Sequence, residues 1–178
     1  MNWRSVLLLL AFVLITASSC TGVDNEKVIS LQAELDRVET QNASAEKENE
    51  KYTGGLVKAL INSQIETLKQ TRAMLQQRRD SWLYGVNLSF TVEGKQFVMP
   101  AEAKALLPNI EHEIAANKEK IKEQELVVSQ YSGGLVHALS VSTLETMRQT
   151  QVMLEQRRLA IKYELPQYLA FQTKPDTR

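Results

Sequence analysis

The sequence predicts a mainly α protein: two copies of a helical repeat joined by a short β-hairpin. Three observations carry that expectation. Tyr52-Thr53-Gly54-Gly55-Leu56-Val57-Lys58-Ala59-Leu60 returns as Tyr131-Ser132-Gly133-Gly134-Leu135-Val136-His137-Ala138-Leu139. The offset of 79 residues runs without a gap to Tyr84 and Tyr163, and 18 of the 33 paired positions are identical. Inside each copy the apolar residues recur at helical spacing, and between the copies one stretch alternates apolar and polar residues with the period of a strand.

Residues 1–19 read as a leader in three zones. Met1-Asn2-Trp3-Arg4 carries one positive charge, Val6 to Ile15 is apolar without a charge, and Thr16-Ala17-Ser18-Ser19 is a patch of small residues before Cys20. That is the layout of a secretory signal peptide. The apolar run is too short for a membrane-spanning helix, which needs roughly 20 residues. Without the cysteine the same residues would read as an ordinary signal peptide.

Ala17-Ser18-Ser19-Cys20 resembles the lipobox of bacterial lipoproteins, with Ala17 where that family prefers Leu. The resemblance implies cleavage before Cys20 and a lipid on its thiol. Thr21 follows Cys20 where an Asp would signal inner-membrane retention, so the family's Gram-negative sorting rule implies the outer membrane, facing the periplasm. Residues 20–23 are then a lipidated tether. The mature chain has 159 residues, enough for one domain. Cys20 is the sole cysteine of the sequence, so a lipid on it leaves no intramolecular disulfide. Mature side chains number 20 basic and 21 acidic, and export joins that near-neutral balance in excluding a nucleic-acid partner.

Residues 24–84 form the first repeat. Val28, Leu31, Leu35, Val38 and Ala45 follow a 3-4 spacing, the thin seam of a coiled coil. Residues 24–51 hold eight acids and four bases, so this helix is solvated around a narrow stripe. That seam, residues 28–45, is the expected surface for a protein partner or for homo-oligomerisation. Further along, Val57, Ile61, Ile65, Leu68, Leu75 and Trp82 share one side of a helix, and the second repeat places Val136, Leu144, Met147, Leu154 and Ile161 likewise.

Gly54-Gly55 and Gly133-Gly134 admit two architectures. As turns, with the preceding hydroxyl capping the next helix, they make each repeat a helical hairpin and the whole an elongated four-helix bundle. As helix interior, they leave two long antiparallel helices, because the stripe runs on in heptad register through Tyr52, Leu56 and Ala59. Two glycines in a helix cost roughly 2 kcal/mol relative to Ala. Local chemistry favours the bundle, and the phase favours the long helices.

The connector spans residues 85–100. Val86, Leu88, Phe90 and Val92 alternate with polar residues before a Glu93-Gly94 turn, and pairing Val92 with Lys95 sets Phe90 against Phe97 and Leu88 against Met99. Pro100 starts a short helix and Pro108 starts or kinks the next. Residues 101–164 form the second repeat and 165–178 a C-terminal tail.

Chemistry-bearing residues are sparse. His112 and His137 stand alone, no spacing resembles a metal site, and no glycine loop resembles a phosphate cradle, so no cofactor and no catalysis are expected. The polar set retained in both repeats is Ser63, Glu66, Thr67, Gln70, Thr71 and Gln77 with Ser142, Glu145, Thr146, Gln149, Thr150 and Gln156. It predicts either a binding groove or the face on which the repeats meet. Arg78-Arg79 and Arg157-Arg158 suit a patch that binds anionic lipid or glycan, or the cation-favouring C-terminal ends of their helices. The sequence therefore predicts a non-enzymatic envelope lipoprotein acting as scaffold, adaptor or spacer. Its alternatives are a periplasmic ligand-binding lipoprotein and an inhibitor of an exported enzyme or toxin working through the β-hairpin.

Overall fold

In a computed structural model, residues 25–167 are described, apart from 87 and 93. The leader, Cys20 and the tether lie outside the described residues, as does the tail beyond 167.

The protein is mainly α; the described residues form five helices and one two-stranded hairpin in the order α1 (Asn25–Asn49), α2 (Gly55–Leu83), β1 (Thr91–Val92), β2 (Lys95–Gln96), α3 (Ala101–Ala105), α4 (Leu107–Ser129) and α5 (Gly134–Lys162). The Gly-Gly pairs are turns. Gly55 and Gly134 hold φ of 88° and 83°, values that only glycine takes without strain, and the chain reverses there. The hydroxyl cap expected of Thr53 and Ser132 is absent: Gly54 and Gly133 occupy the N-cap positions, with no side-chain cap on either helix. Helices α2 and α5 have 29 residues each, and their bounds repeat the 79-residue offset.

Each repeat is thus an antiparallel hairpin, α1 with α2 and α4 with α5, and the two hairpins meet through α2 and α5. Those two run parallel. Gln64 reaches Glu145 near their starts, and Arg78 reaches Tyr163 near their ends. Both Gly-Gly turns therefore lie at one end, the tip. The start of α1, the β-hairpin, α3 and the end of α5 gather at the other, the base. With 25 residues, α1 separates tip from base by about 37 Å.

The main apolar core fills the base. Leu31, Leu35 and Val38 of α1 join Leu68, Met74 and Leu75 of α2, Ile110 and Ile114 of α4, and Leu159, Ala160, Ile161, Tyr163 and Leu165. The seam expected to face a partner is thus consumed inside the chain; Leu31, Leu35 and Val38 are all buried. Hydrophobic burial explains this, since the antiparallel helix arriving from the Gly-Gly turn lays its own stripe on that seam.

The hairpin has the expected register. Val92 pairs with Lys95, Thr91 with Gln96, and the Phe97 amide donates to the Phe90 carbonyl at 2.7 Å. Its apolar face closes the base: Met99 is buried, and Phe90 and Phe97 pack against the core. Pro100 is the N-cap of α3, and Pro108 sits in the first turn of α4.

Candidate functional site

The polar residues retained in both repeats do not form one surface. Thr67, Thr71, Thr146 and Thr150 each donate a hydroxyl to the carbonyl four residues earlier in their own helix. Ser63 accepts from Gln149 Nε2 at 3.2 Å, across the repeats. Glu145 is buried and accepts from Gln64 Nε2 at 3.0 Å, also across the repeats. Glu66, Gln70 and Gln77 stay exposed, while Ser142 and Gln156 are half-buried. The inter-repeat reading therefore accounts for three of the twelve.

Beside the shared apolar core, a set of charged groups from the first hairpin and from α4 converges on α5. Arg158 donates to both carboxylate oxygens of Glu34 at 2.9 and 3.0 Å. Arg37 pairs with buried Glu155 at 2.7 Å, and Lys118 of α4 reaches the same carboxylate at 3.4 Å. Asn117 donates to Gln151, whose amide donates to Glu155. Burial alone would push the Glu34 carboxyl up; Arg158, Arg37 and Lys162 outweigh it and hold the pKa below the ordinary glutamate value. Near the tip, burial works against the Arg148 guanidinium, but its bonds to Glu125 and Glu145 prevail and raise its pKa.

The first arginine pair is engaged within the protein rather than offered to an anionic lipid or glycan. Arg78 Nε donates to the Tyr163 carbonyl at 2.9 Å and its Nη2 to the Glu164 carbonyl at 3.0 Å. It therefore caps the C-terminus of the other repeat's long helix. Both arginines of the first pair have internal partners, since Arg79 bonds Asp80 and Gln32. Sequence reasoning placed these cations at helix ends correctly in kind, but Arg78 serves α5 rather than its own helix.

Two cavities lie in the tip half. One, of about 250 Å³, is framed by all four long helices and includes Gln41, Gln64, Ile121, Glu145, Arg148 and Gln151. Its buried polar groups bond one another, so it presents few free donors or acceptors. The other, an open cleft of about 440 Å³, lies between the repeats at the tip, against Tyr52, Leu56, Val57, Ala138, Leu139 and Val141. His137 joins its lining, whereas His112 is exposed on α4.

Around this cleft the surface is apolar. Leu56, Leu126, Val127, Tyr131, Leu135, Val136 and Leu139 are exposed, with Leu135 at 76%. A contiguous apolar patch on a polar protein marks a contact surface. Sequence reasoning missed it because periodicity counts such residues as core. One signal could have found it: residues 126–139 contain no Asp, Glu, Lys or Arg in a chain where those types are 24%.

No family model matches the chain, and no curated protein and no solved structure shows significant similarity to it. Among the described residues, no helix is long and apolar enough to cross a membrane.

Proposed function

We propose that this chain is a bacterial envelope lipoprotein that works by contact, a scaffold or adaptor held by a lipid on Cys20 at the periplasmic face of the outer membrane. The leader and the Ala17-Ser18-Ser19-Cys20 motif support the anchoring. The observation that carries the contact role is the opposition of the two ends. The described chain begins at Asn25, at the base, while the opposite end carries seven exposed large apolar residues and an open cleft; Ile29, Leu83, Tyr84, Val86 and Val98 are exposed at the base as well. A lipid five residues before Asn25 would hold the base near the bilayer and lift the tip about 37 Å from it. The protein then acts as a short spacer that presents its tip.

An inhibitor acting through the hairpin has less support, because Phe90 and Phe97 pack on the protein's own core. The test is Cys20→Ser in the host, read by labelled-palmitate incorporation and by membrane fractionation after a high-salt wash. Label should vanish and the chain should become soluble. Incorporation of label into the serine variant, or salt-resistant membrane association without lipid, would overturn the reading.

A further inference from the structure

The two tips are written by the same repeat and differ in charge: the first carries charged side chains at positions where the second has none. At the 79-residue offset, Lys47, Glu48, Lys51 and Lys58 of the first repeat stand opposite Leu126, Val127, Gln130 and His137 of the second. Two ionisable positions have become exposed aliphatics, Leu126 at 66% and Val127. Leu135 and Leu139 stand exposed beside them on the first turns of α5. A solvated helix end gains nothing from that exchange, since apolar surface in water is unfavourable by about 25 cal/mol per Å². A surface that is covered by another apolar surface gains from it.

We propose that the second repeat's tip is a self-association surface, and that its occupant is the same tip of a second copy of this chain. Three features select a second copy. First, the 14 residues 126–139 carry no Asp, Glu, Lys or Arg, with His137 their one ionisable side chain besides Tyr131, so a twofold contact through them sets no carboxylate, ammonium or guanidinium against its like. Second, the tip holds both halves of a self-complementary contact: protruding Leu135 and the open apolar cleft beside it. A twofold interface needs both halves on each chain, because each contact occurs twice. Third, a twofold parallel to the bundle axis leaves both bases at the same end, so two lipid-anchored copies can pair side by side on one membrane. That choice of axis rests on the lipoprotein reading; the docking does not.

The experiment is sedimentation equilibrium across a concentration series, on the mature chain carrying Cys20→Ser so that no lipid contributes. A monomer–dimer equilibrium is expected. Leu135→Asp should weaken it roughly tenfold or more, the loss of about 1.4 kcal/mol. Val98→Asp, an equally exposed apolar position at the base, should leave it unchanged. Circular dichroism checks that each variant keeps its helix. Should Leu135→Asp lower the melting temperature, Leu126→Gln on the facing helix asks the same question. A chain monomeric at every concentration, or a dimer indifferent to both tip variants, overturns the proposal. So does flotation of a monomeric chain with phosphatidylglycerol vesicles that Leu135→Asp abolishes, which would make a lipid surface the occupant. Failure of palmitate labelling would sink the anchor and leave the dimer standing.

Discussion

Tyr84 and Tyr163 hold the same position in the two repeats, yet one is 73% exposed and the other 5%. The same split recurs along α2 and α5. Glu66 is exposed and Glu145 buried; Met74 is buried and Met153 exposed. Duplication supplied both helices with one pattern, but their neighbours differ. Helix α2 packs on α1 and α5, whereas α5 packs on α2, α3 and α4 and also receives Arg37 and Glu34 from α1. Each helix buries eight residues, three of them polar, but at different positions: Gln64, Thr71 and Ser81 on α2, Glu145, Gln151 and Glu155 on α5. A repeated sequence thus specifies a repeated helix, and location in the bundle decides which face water sees.

The tyrosine pair gives the largest test of that asymmetry. Tyr163 meets the Trp82 ring edge-on at 6.1 Å, and its hydroxyl lies 3.2 Å from Ser30 Oγ. It ties α1, α2 and α5 together at the base. Tyr163→Ala should cost about 3–5 kcal/mol, as large aromatic truncations in cores do, while Tyr84→Ala should stay within about 0.5 kcal/mol. Urea denaturation reads both. Equal costs would mean the two repeats sit in equivalent environments, and the asymmetric bundle would be wrong.

Glu34 and Glu113 sharpen the comparison through pH. Glu34 accepts two bonds from Arg158, whereas Glu113 at the paired position is exposed. Losing charge-assisted bonds costs about 1.5–3 kcal/mol, so Glu34→Gln should destabilise by that order at pH 7. The Glu34 pKa lies below its unfolded value, so its contribution is fully present above about pH 4.3 and is lost as pH falls through the lowered folded value. Below both values Glu34→Gln and the parent should converge in stability. At pH 7 Glu113→Gln, at an exposed position, should stay within about 0.5 kcal/mol of the parent, and a cost there as large as that of Glu34→Gln would reverse the assignment.

Much of the fold was legible because its signals are local. Alternation from Leu88 to Met99 has one register that aligns its apolar faces, and the structure has it. Pro100 and Pro108 mark helix starts because their missing amide donors are not needed there. The Gly-Gly question resolved against the heptad phase for a physical reason: Leu56, which continues the stripe, is 65% exposed at the tip and was never a core residue. Periodicity could not reveal that, since an exposed aliphatic on a helix end has the same spacing as a buried one. Nor could it tell Glu145 from Glu66, because pairing at an offset is blind to which face of each copy its neighbours cover.

The helix ends hold the smallest and most direct comparison. Val86 donates to the Ser81 carbonyl and Leu165 to the Ala160 carbonyl, both at 2.8 Å, so α2 and α5 close with the same Schellman arrangement. That arrangement needs a left-handed residue just past the helix. The first repeat supplies Gly85 at φ 64°, but the second supplies Glu164 at φ 55°. A side chain in that region costs about 1 kcal/mol relative to glycine. Lys104 pairs with the Glu164 carboxylate, but both groups are half exposed and the pair offsets little of the strain. Arg78 bonds the Glu164 carbonyl, a contact that survives loss of the side chain. Glu164→Gly should therefore stabilise by up to about 1 kcal/mol, and Gly85→Ala should destabilise by about as much. Thermal melts of the two variants should move in opposite directions. A loss of stability in Glu164→Gly would show that the ion pair with Lys104, rather than backbone conformation, governs the end of α5.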